Sequence, residues 1–219
     1  MHERLDKRKL VILRHLIELG AASVAELQRH TSIPRSSLTH HLNMLVKRGY
    51  LLQERSGKKL VSRVVPQKVQ QLRRMMKLRA PVALISGYTY DPNKPDERTL
   101  EVLDRAVRLL GGAGVRVERR VAFTTPLARE MIARTEWQRG EEEIVLDIEV
   151  YQNDIARLTC EMQGAVERLL PEYEPVVDLT PLTKLFTIAG LNAASKYCLR
   201  AIYHGGSGVL WVDAASVVF

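Results

Sequence analysis

A short run in the last quarter of the chain places hydroxyl and ammonium groups where a predicted strand turns into a helix. The apolar residues 175–179 predict the strand, and Thr180, Thr183 and Lys184 follow it. Free N–H groups at the start of a helix, together with a lysine, suit a phosphate or another anion. The alternative is that Thr180 only caps the helix and Lys184 is a solvated first-turn residue.

A second chemical pattern lies in residues 35–47. Positions spaced three to four apart share one face of a helix, and here that face carries short hydroxyls, an imidazole, an amide and a cation. Such groups pair with base edges or phosphates, although ordinary exposed polar residues have the same composition. The predicted DNA contacts on this helix are Arg35, Ser36, Ser37, Thr39, His40, Asn43 and Lys47. Lys58 and Lys59, at the tip of a following hairpin, complete the set.

Charge divides the chain unevenly. Residues 1–80 contain 18 Lys and Arg against 5 Asp and Glu, a net charge of +13. Residues 81–219 contain 15 against 20, a net charge of −5. A basic first third joined to a mildly acidic remainder predicts a module that binds a polyanion, followed by a module that does not.

The basic third has the elements that would position such a helix. Apolar residues at helical spacing and Gly20 predict a first helix, and Ser23 with Glu26 forms a capping box that opens a second. Pro34 suits the first position of a third helix, which we expect to end at Gly49. Two β-prone runs around a Ser-Gly turn, residues 51–55 and 60–65, predict a hairpin. Residues 5–66 therefore resemble the winged helix-turn-helix of bacterial and archaeal transcription regulators, of the ArsR and MarR kinds.

Beyond this module the sequence predicts a basic linker helix over residues 67–80, then alternating strands and helices. Strands are predicted at 82–86, 115–123, 144–150, 175–179 and 209–212, and helices at 100–110, 127–132, 154–170 and 182–201. This alternation predicts a mostly parallel sheet covered on both faces. Ala189, Gly190, Ala193 and Ala194 would let the last helix lie close to that sheet.

The run 178–189, together with residues 86–90 after the first strand of the sheet, resembles the two ligand-loop regions of the CRISPR-associated Rossmann-fold (CARF) domain. The resemblance implies a homodimer that binds a cyclic oligoadenylate, cyclic tetra-adenylate foremost, across its two-fold axis. It assigns ligand contacts to Ser86, Gly87, Tyr88, Thr89, Thr180, Thr183 and Lys184. This chain departs from the family by having Pro181 and Leu182 where two glycines are usual, and by placing the winged helix before the CARF-type domain.

Several classes of protein are not supported by the sequence. It contains neither Gly-x-Gly-x-x-Gly nor a P-loop, and no Cys-x-Cys accompanies the histidines, so we expect no cofactor and no metal. It has no apolar run long enough to span a membrane and no signal peptide, so we expect a cytoplasmic protein.

The predicted fold is α/β. An N-terminal winged helix-turn-helix (α+β, residues 1–66) and the linker helix precede a Rossmann-like, parallel-sheet CARF-type domain for ligand sensing and dimerisation (residues 81–219). We expect a non-enzymatic transcriptional regulator that binds double-stranded DNA. A regulator of another small ligand, an architectural protein with an inert dimerisation domain, and a ring nuclease with His204 as a candidate base are the alternatives.

Overall fold

The computed structural model describes residues 5–57, 59–93, 97–136, 140–205 and 208–213. The chain divides into two compact units, Met1–Arg79 and Ala80–Phe219. Each unit has its own buried apolar core.

The N-terminal unit is a three-helix module followed by a hairpin and a fourth helix. Its elements are α1 (Lys7–Leu19), β1 (Ala22–Ser23), α2 (Val24–Thr31), α3 (Arg35–Lys47), β2 (Leu51–Ser56), β3 (Lys59–Val64) and α4 (Pro66–Met76). The Ser23–Glu26 capping box is confirmed, since the Ser23 N–H donates to Glu26 Oε2 at 2.7 Å and the Glu26 N–H donates to Ser23 Oγ at 3.4 Å. Gly20 ends α1 with a φ of 74°, as predicted.

The third helix differs from the prediction at both ends. Pro34 lies at the N-cap position in an extended conformation, and the helix begins one residue later, at Arg35. It ends at Lys47, because Gly49 takes a φ of 69° and the Gly49 and Tyr50 N–H groups return to the carbonyls of Val46 and Leu45, both at 2.9 Å. This is the Schellman closure, in which glycine stands just beyond the helix.

The hairpin and the helix that follows it complete the unit. Strands β2 and β3 pair antiparallel up to Ser56 and Lys59, so the predicted hairpin is confirmed, and β1 adds to β3 as a third strand. Helix α4 covers 66–76 instead of 67–80, because Lys77 takes a left-handed conformation that ends it. Helix α4 packs against α1 and buries Val69 and Leu72, so it is part of the N-terminal unit.

The C-terminal unit alternates strands and helices. Its strands are β4 (Val82–Gly87), β5 (Val117–Thr124), β6 (Glu142–Val145), β7 (Glu174–Asp178), β8 (Arg200–Gly205) and β9 (Gly208–Asp213). Its helices are α5 (Val102–Gly112), α6 (Pro126–Ile132), α7 (Ile148–Asn153), α8 (Ile155–Leu169) and α9 (Lys184–Tyr197), with a short 3-10 turn at Glu97–Thr99.

The six strands form one sheet in the order β6-β5-β4-β7-β8-β9. Neighbouring strands are parallel except for β8 and β9, which are antiparallel. This is the Rossmann-type order. The chain runs outward from the central strand β4 to β6, returns to the centre at β7, and then runs outward on the other side to β9. The predicted α/β class and mostly parallel sheet are confirmed.

Two predicted elements of this unit are wrong in extent. The strand expected over 144–150 ends at Val145, and α7 begins at Ile148, where Val150 and Tyr151 are buried on a helix instead of alternating along a strand. The helix expected over 182–201 ends at Tyr197, because Cys198 takes a left-handed conformation and Leu199 N–H donates back to Ala194 O at 2.8 Å. The residues from Arg200 onward form β8, which the sequence analysis missed.

The close approach of α9 to the sheet is confirmed. Ala189, Gly190, Ala193 and Ala194 are all buried. A Cβ on Gly190 would lie 3.0 Å from a Leu179 methyl and 3.1 Å from a Val177 methyl, so a larger side chain would push the helix away. This packing fixes where α9 begins relative to the end of β7.

Candidate nucleic-acid interface and ligand site

The polar face of α3 is open to solvent. Six of the seven predicted contacts on it are exposed, and Ser37 is half-buried; the exposed residues are Arg35, Ser36, Thr39, His40, Asn43 and Lys47. The opposite face holds Leu38, Leu42 and Leu45, each at most 1% exposed. Because these leucines fix the rotation of the helix in the N-terminal unit, the polar side chains share one outward surface, which we call the α3 face.

One hydroxyl of the α3 face is already engaged. Thr39 Oγ1 donates to the Arg35 carbonyl oxygen at 2.9 Å, which holds the threonine against its own helix. A hydroxyl that donates its proton to the backbone still has lone pairs that can accept a hydrogen bond. Thr39 is therefore suited to accept from a base amino group and unsuited to donate to a phosphate.

The hairpin adds a second basic surface. Lys59 is exposed at the first position of β3, whereas Lys58 lies outside the described residues. The sequence analysis missed Arg55, which is exposed near the end of β2, and its signal was a basic residue directly before the predicted turn. Arg63 is engaged differently, since its Nε lies 3.4 Å from Glu54 Oε1.

His41 belongs to the packed side of α3. It is half-buried, and its Nδ1 has no hydrogen-bond partner within the described residues. Burial lowers the pKa of His41 below its usual value, because a charged imidazole would lose its hydration there.

The predicted ligand loops of the C-terminal unit follow two adjacent strands. Strands β4 and β7 pair in parallel, with Leu84 opposite Val176 and Ile85 opposite Val177. The strand order reverses between β4 and β7. The loops after the carboxyl ends of these two strands therefore flank the crevice where ligands of such sheets bind. The two loops that resemble the CARF ligand loops therefore follow neighbouring strands.

A buried polar cluster lies at the carboxyl ends of these strands. Ser86 Oγ donates to Asp178 Oδ2 at 2.7 Å, and His204 Nε2 lies 3.2 Å from the same oxygen. Asp178 Oδ1 accepts from the Thr180 N–H at 2.9 Å. Ser86 and Asp178 are fully buried and His204 is 4% exposed. The cluster holds the first turn of the loop after β7 onto the sheet.

The threonines of that loop also serve the protein itself. Thr180 Oγ1 accepts from the His204 N–H at 2.9 Å, which ties the loop to β8. Thr183 Oγ1 donates to Tyr151 O at 2.6 Å and accepts from the Phe186 N–H at 3.3 Å, so it caps α9 and joins it to α7. Lys184, the first residue of α9, is exposed. Among the seven predicted ligand contacts, it is the cationic one and it remains accessible.

Gly87 and Leu182 meet where the family pattern has glycine. A Cβ on Gly87 would lie 2.6 Å from Phe123 O and 2.7 Å from a Leu182 methyl, so the leucine packs directly over the glycine. Leu182 itself has a φ of 68°, a left-handed conformation that favours glycine. The loop therefore keeps a glycine-like backbone at this position, and its side chain covers the end of β4.

The remaining two predicted contacts differ from each other. Tyr88 is fully buried in the core, and its hydroxyl donates to Glu143, whose other oxygen lies 2.8 Å from Arg129 Nε. Thr89 is half-buried and reaches a cavity at the edge of the sheet. The side chains of Ser86 and Tyr88 are buried and Leu182 covers Gly87, so in this structure these residues support the loops, and their contact with a ligand stays a prediction.

The cavity that Thr89 reaches has a volume of about 600 Å³. It lies beyond the carboxyl ends of β4, β5 and β6 and is lined by residues 89–93, 125–127, 147–148 and Gln152. We call it the edge pocket. Thr180, Thr183 and Lys184 do not line it.

Two absences hold for the part of the chain that the structure describes. No three His, Cys, Asp or Glu side chains in that part are close enough together to hold a metal ion. None of the helices in it is both long and apolar enough to cross a membrane.

Comparison with known proteins identifies the N-terminal module. Residues 7–55 match the family model described as the IclR helix-turn-helix domain. The N-terminal unit thus contains a helix-turn-helix DNA-binding domain, as predicted. No curated protein matches the sequence.

Solved structures resemble the chain over different shares of its length. BpsR of Bordetella bronchiseptica, described for the regulation of its DNA binding by 6-hydroxynicotinic acid, is 19% identical over 34% of this chain and 56% of its own, with a TM-score of 0.33. Can2 of Sulfobacillus thermosulfidooxidans, in complex with cyclic tetra-adenylate, is 12% identical over 60% of this chain and 35% of its own, with a TM-score of 0.43. Csm6 of Enterococcus italicus, bound to cyclic hexa-2'-fluoro-hexa-dAMP, is 15% identical over 58% of this chain and 34% of its own, with a TM-score of 0.36. These values are low, and function is argued below from the residues of this chain.

Proposed function

We propose that this protein is a transcriptional regulator that reads double-stranded DNA with the α3 face and senses a small ligand with its C-terminal unit. The observation that carries the proposal is the exposed polar face of α3, held outward by three buried leucines within a helix-turn-helix domain. The net charge of +13 over residues 1–80 supports it, because phosphate contacts supply most of the affinity of such domains. A protein of this function acts in the cytoplasm, where it meets its DNA.

The residues of the α3 face divide the work between position and sequence. Arg35 and Lys47, at opposite ends of the helix, are suited to phosphates, and Lys59 and Arg55 on the hairpin extend the same contact. Asn43 and His40, on the middle of the face, are suited to base edges, where an amide can pair with adenine through two hydrogen bonds.

Selection of bound duplexes from a pool of random sequence tests this reading. We expect the full chain to enrich one sequence, and Asn43→Ala to lose preference at one base pair at a cost of about 1–3 kcal/mol. Gln71→Ala removes an exposed amide from α4 and should leave the enriched sequence unchanged. Enrichment of the same sequence with the same preference by Asn43→Ala would show that Asn43 does not read a base.

The regulator is proposed to act as a homodimer. Two helix-turn-helix domains related by a two-fold axis bind half-sites about 34–36 Å apart and gain affinity and specificity from the pairing. Sedimentation of the full chain at micromolar concentration should give the mass of a dimer. A stable monomer of 24.8 kDa would contradict the proposal.

The ligand class implied by the CARF resemblance is a cyclic oligoadenylate, with cyclic tetra-adenylate as the first candidate. Its support in this structure is the crevice between β4 and β7 and the exposed Lys184 at the start of α9, where an anion would meet a cation and free N–H groups. Leu182 works against it, since its side chain covers Gly87 at the same place. A groove that is open to phosphate needs that leucine to move.

Calorimetric titration with cyclic tetra-adenylate separates these effects. If the groove is used, wild type binds the ligand and Lys184→Ala weakens binding about tenfold or more. Arg168→Ala, which removes an exposed cation from α8, is the matched control and should bind as wild type does. If Leu182 closes the groove, only Leu182→Gly binds. If neither wild type nor Leu182→Gly binds, cyclic tetra-adenylate is removed as the ligand and the DNA-binding proposal stays intact.

Turnover of such a ligand is not part of the proposal. His204, the candidate base, is buried against Asp178 and is only 4% exposed, so little of it is accessible to a ligand. Sensing of another small molecule, in contrast, is favoured by a specific observation, the edge pocket.

A further inference from the structure

The edge pocket offers a binding site of different chemistry from the anion site at Lys184. Its volume of about 600 Å³ falls within the range of roughly 300–1,000 Å³ typical of small-molecule sites. We propose that it binds a small organic amine, whose N–H groups meet the carboxylates of the pocket while its apolar part lies against the pocket walls. The proposal rests on the proposed function only in taking the C-terminal unit as the sensing unit.

The position and the framework of the pocket are those of a built site. It lies beyond the carboxyl ends of three parallel strands, where ligands of such sheets bind. The Thr89 N–H donates to Thr99 O at 3.3 Å and Thr99 Oγ1 donates to Thr89 O at 2.6 Å, which fixes the start of the loop after β4. Thr125, 4% exposed, caps α6 by accepting from the Ala128 N–H at 3.2 Å. The pocket is therefore formed before any ligand arrives.

The charge of the lining selects the ligand. Asp91 and Asp147 line the pocket, and none of the lining residues within the described part of the chain is a lysine, arginine or histidine. Asp147 begins α7 without a side-chain bond to that helix, so its carboxylate is not used as a cap. Asp91 Oδ1 accepts from the Asn93 N–H at 2.9 Å, which leaves its other oxygen for a ligand. Two carboxylates lining one cavity repel a phosphate or carboxylate ligand and attract an ammonium group. This is the opposite preference from that of Lys184.

The walls of the pocket call for an apolar portion in the ligand. Leu127 and Ile148 line it while 39% and 44% exposed, and Tyr90 both packs against the core and lines the pocket. Burying such surface stabilises a complex by roughly 25 cal/mol per Å² of apolar area. A ligand with an aromatic or aliphatic body and one amine satisfies both the walls and the carboxylates.

The pocket is also connected to the start of α9. Helix α7 supplies Ile148 and Gln152 to the lining, and the carbonyl of Tyr151 between them accepts from Thr183 Oγ1 at 2.6 Å. A ligand that moves α7 therefore acts on the cap of α9 through one hydrogen bond. This provides a route by which an amine in the edge pocket changes the loop that carries Lys184.

Amide chemical shifts of the full chain, titrated with two matched probes, test the proposal. Tryptamine carries an ammonium group on an indole, and indole-3-acetate carries a carboxylate on the same ring. We expect tryptamine to shift the amides of residues 89–93 and 147–152 in a saturable way, and indole-3-acetate to bind at least about tenfold more weakly. Failure of tryptamine to give saturable shifts at these residues, or equal binding of both probes, overturns the proposal.

Variants locate the effect. Asp147→Asn retains a side chain of the same shape that is equally suited to begin a helix, and it should weaken tryptamine binding about tenfold. Glu149→Gln, an exposed neighbour on α7 that bonds Asn153 and does not line the pocket, should bind tryptamine as wild type does. Unchanged affinity in Asp147→Asn, or an equal loss in Glu149→Gln, contradicts the assignment.

Duplex binding by the same protein separates this inference from the proposed function. If tryptamine binds the pocket and DNA affinity does not change with it, the amine site stands and the sensing function fails. If the chain binds DNA but tryptamine gives no saturable shift, the DNA function stands and the amine site is withdrawn.

Discussion

Leu182 is the residue at which replacement by glycine and by alanine should have the reverse of their usual order of stability. Its φ of 68° costs a residue with a side chain about 1–2 kcal/mol, whereas glycine adopts it freely. The side chain is half-buried, and by area its removal costs about 1 kcal/mol.

The two substitutions therefore differ in what they relieve. Leu182→Ala loses the burial and keeps the backbone strain, so we expect a loss of about 1 kcal/mol in the free energy of unfolding. Leu182→Gly loses the same burial, is relieved of the strain, and gives up roughly 0.4–1 kcal/mol to the freedom of the unfolded chain. The free energy of unfolding of Leu182→Gly should then exceed that of Leu182→Ala by about 0.5–1 kcal/mol.

Urea unfolding followed by tryptophan fluorescence measures the difference in the relevant unit, since both tryptophans, Trp137 and Trp211, lie in the C-terminal part of the sequence. Leu191, half-buried in the interior of α9, is the matched control. There the free energy of unfolding of the alanine variant should exceed that of the glycine variant by about 1 kcal/mol. If glycine is worse than alanine at position 182 by as much as at 191, the left-handed conformation of Leu182 is refuted.

Three more predictions concern packing, pH and the buried cluster. Gly87→Ala should destabilise the C-terminal unit by about 1–3 kcal/mol, because the new methyl group meets Phe123 O, whereas Gly111→Ala at an open helical position should stabilise it; urea midpoints decide both. Hydrogen bonds from the Lys9 side chain and backbone lower the pKa of Asp6 from 3.8 to about 2. The free energy of unfolding of wild type should therefore exceed that of Asp6→Ala by roughly 1 kcal/mol above about pH 4, and this difference should disappear as the pH falls through 2. Equal differences at pH 6 and pH 2 would contradict this. Ser86→Ala removes a donor from the buried Asp178 carboxylate and should cost about 1.5–3 kcal/mol, and a loss below 0.5 kcal/mol, roughly the scale of an exposed site, would mean that the bond is not formed.

Helix ends marked by glycine were predictable, and those without glycine were not. Gly20 and Gly49 lie at the ends of α1 and α3, and both signalled the stop in the sequence. Helices α4 and α9 end at Lys77 and Cys198, which take the same left-handed conformation without being glycine. The predicted helix therefore ran on to residue 201, took in the first two residues of β8 and left that strand unrecognised.

The sites divide in a similar way. The α3 face could be predicted because local helical spacing alone decides which of its residues point outward. The pairing of the two ligand loops was implied by the resemblance to the CARF domain. The role of Tyr88 could not be predicted, since its partner Glu143 is 55 residues away and meets it only through the order of the sheet. The edge pocket is built from three such loops and had no local signal.

The salt dependence of duplex binding tests the central claim most directly. Affinity of the full chain for its selected duplex should fall steeply and linearly in a plot of log affinity against log salt concentration, with a slope of about −0.9 for each phosphate contacted. Lys47→Ala on the α3 face should reduce the magnitude of that slope by about 1, and Arg74→Ala, which removes an exposed cation from α4, should leave it unchanged. An affinity that is independent of salt, or a slope that changes equally in both variants, would contradict DNA binding through α3.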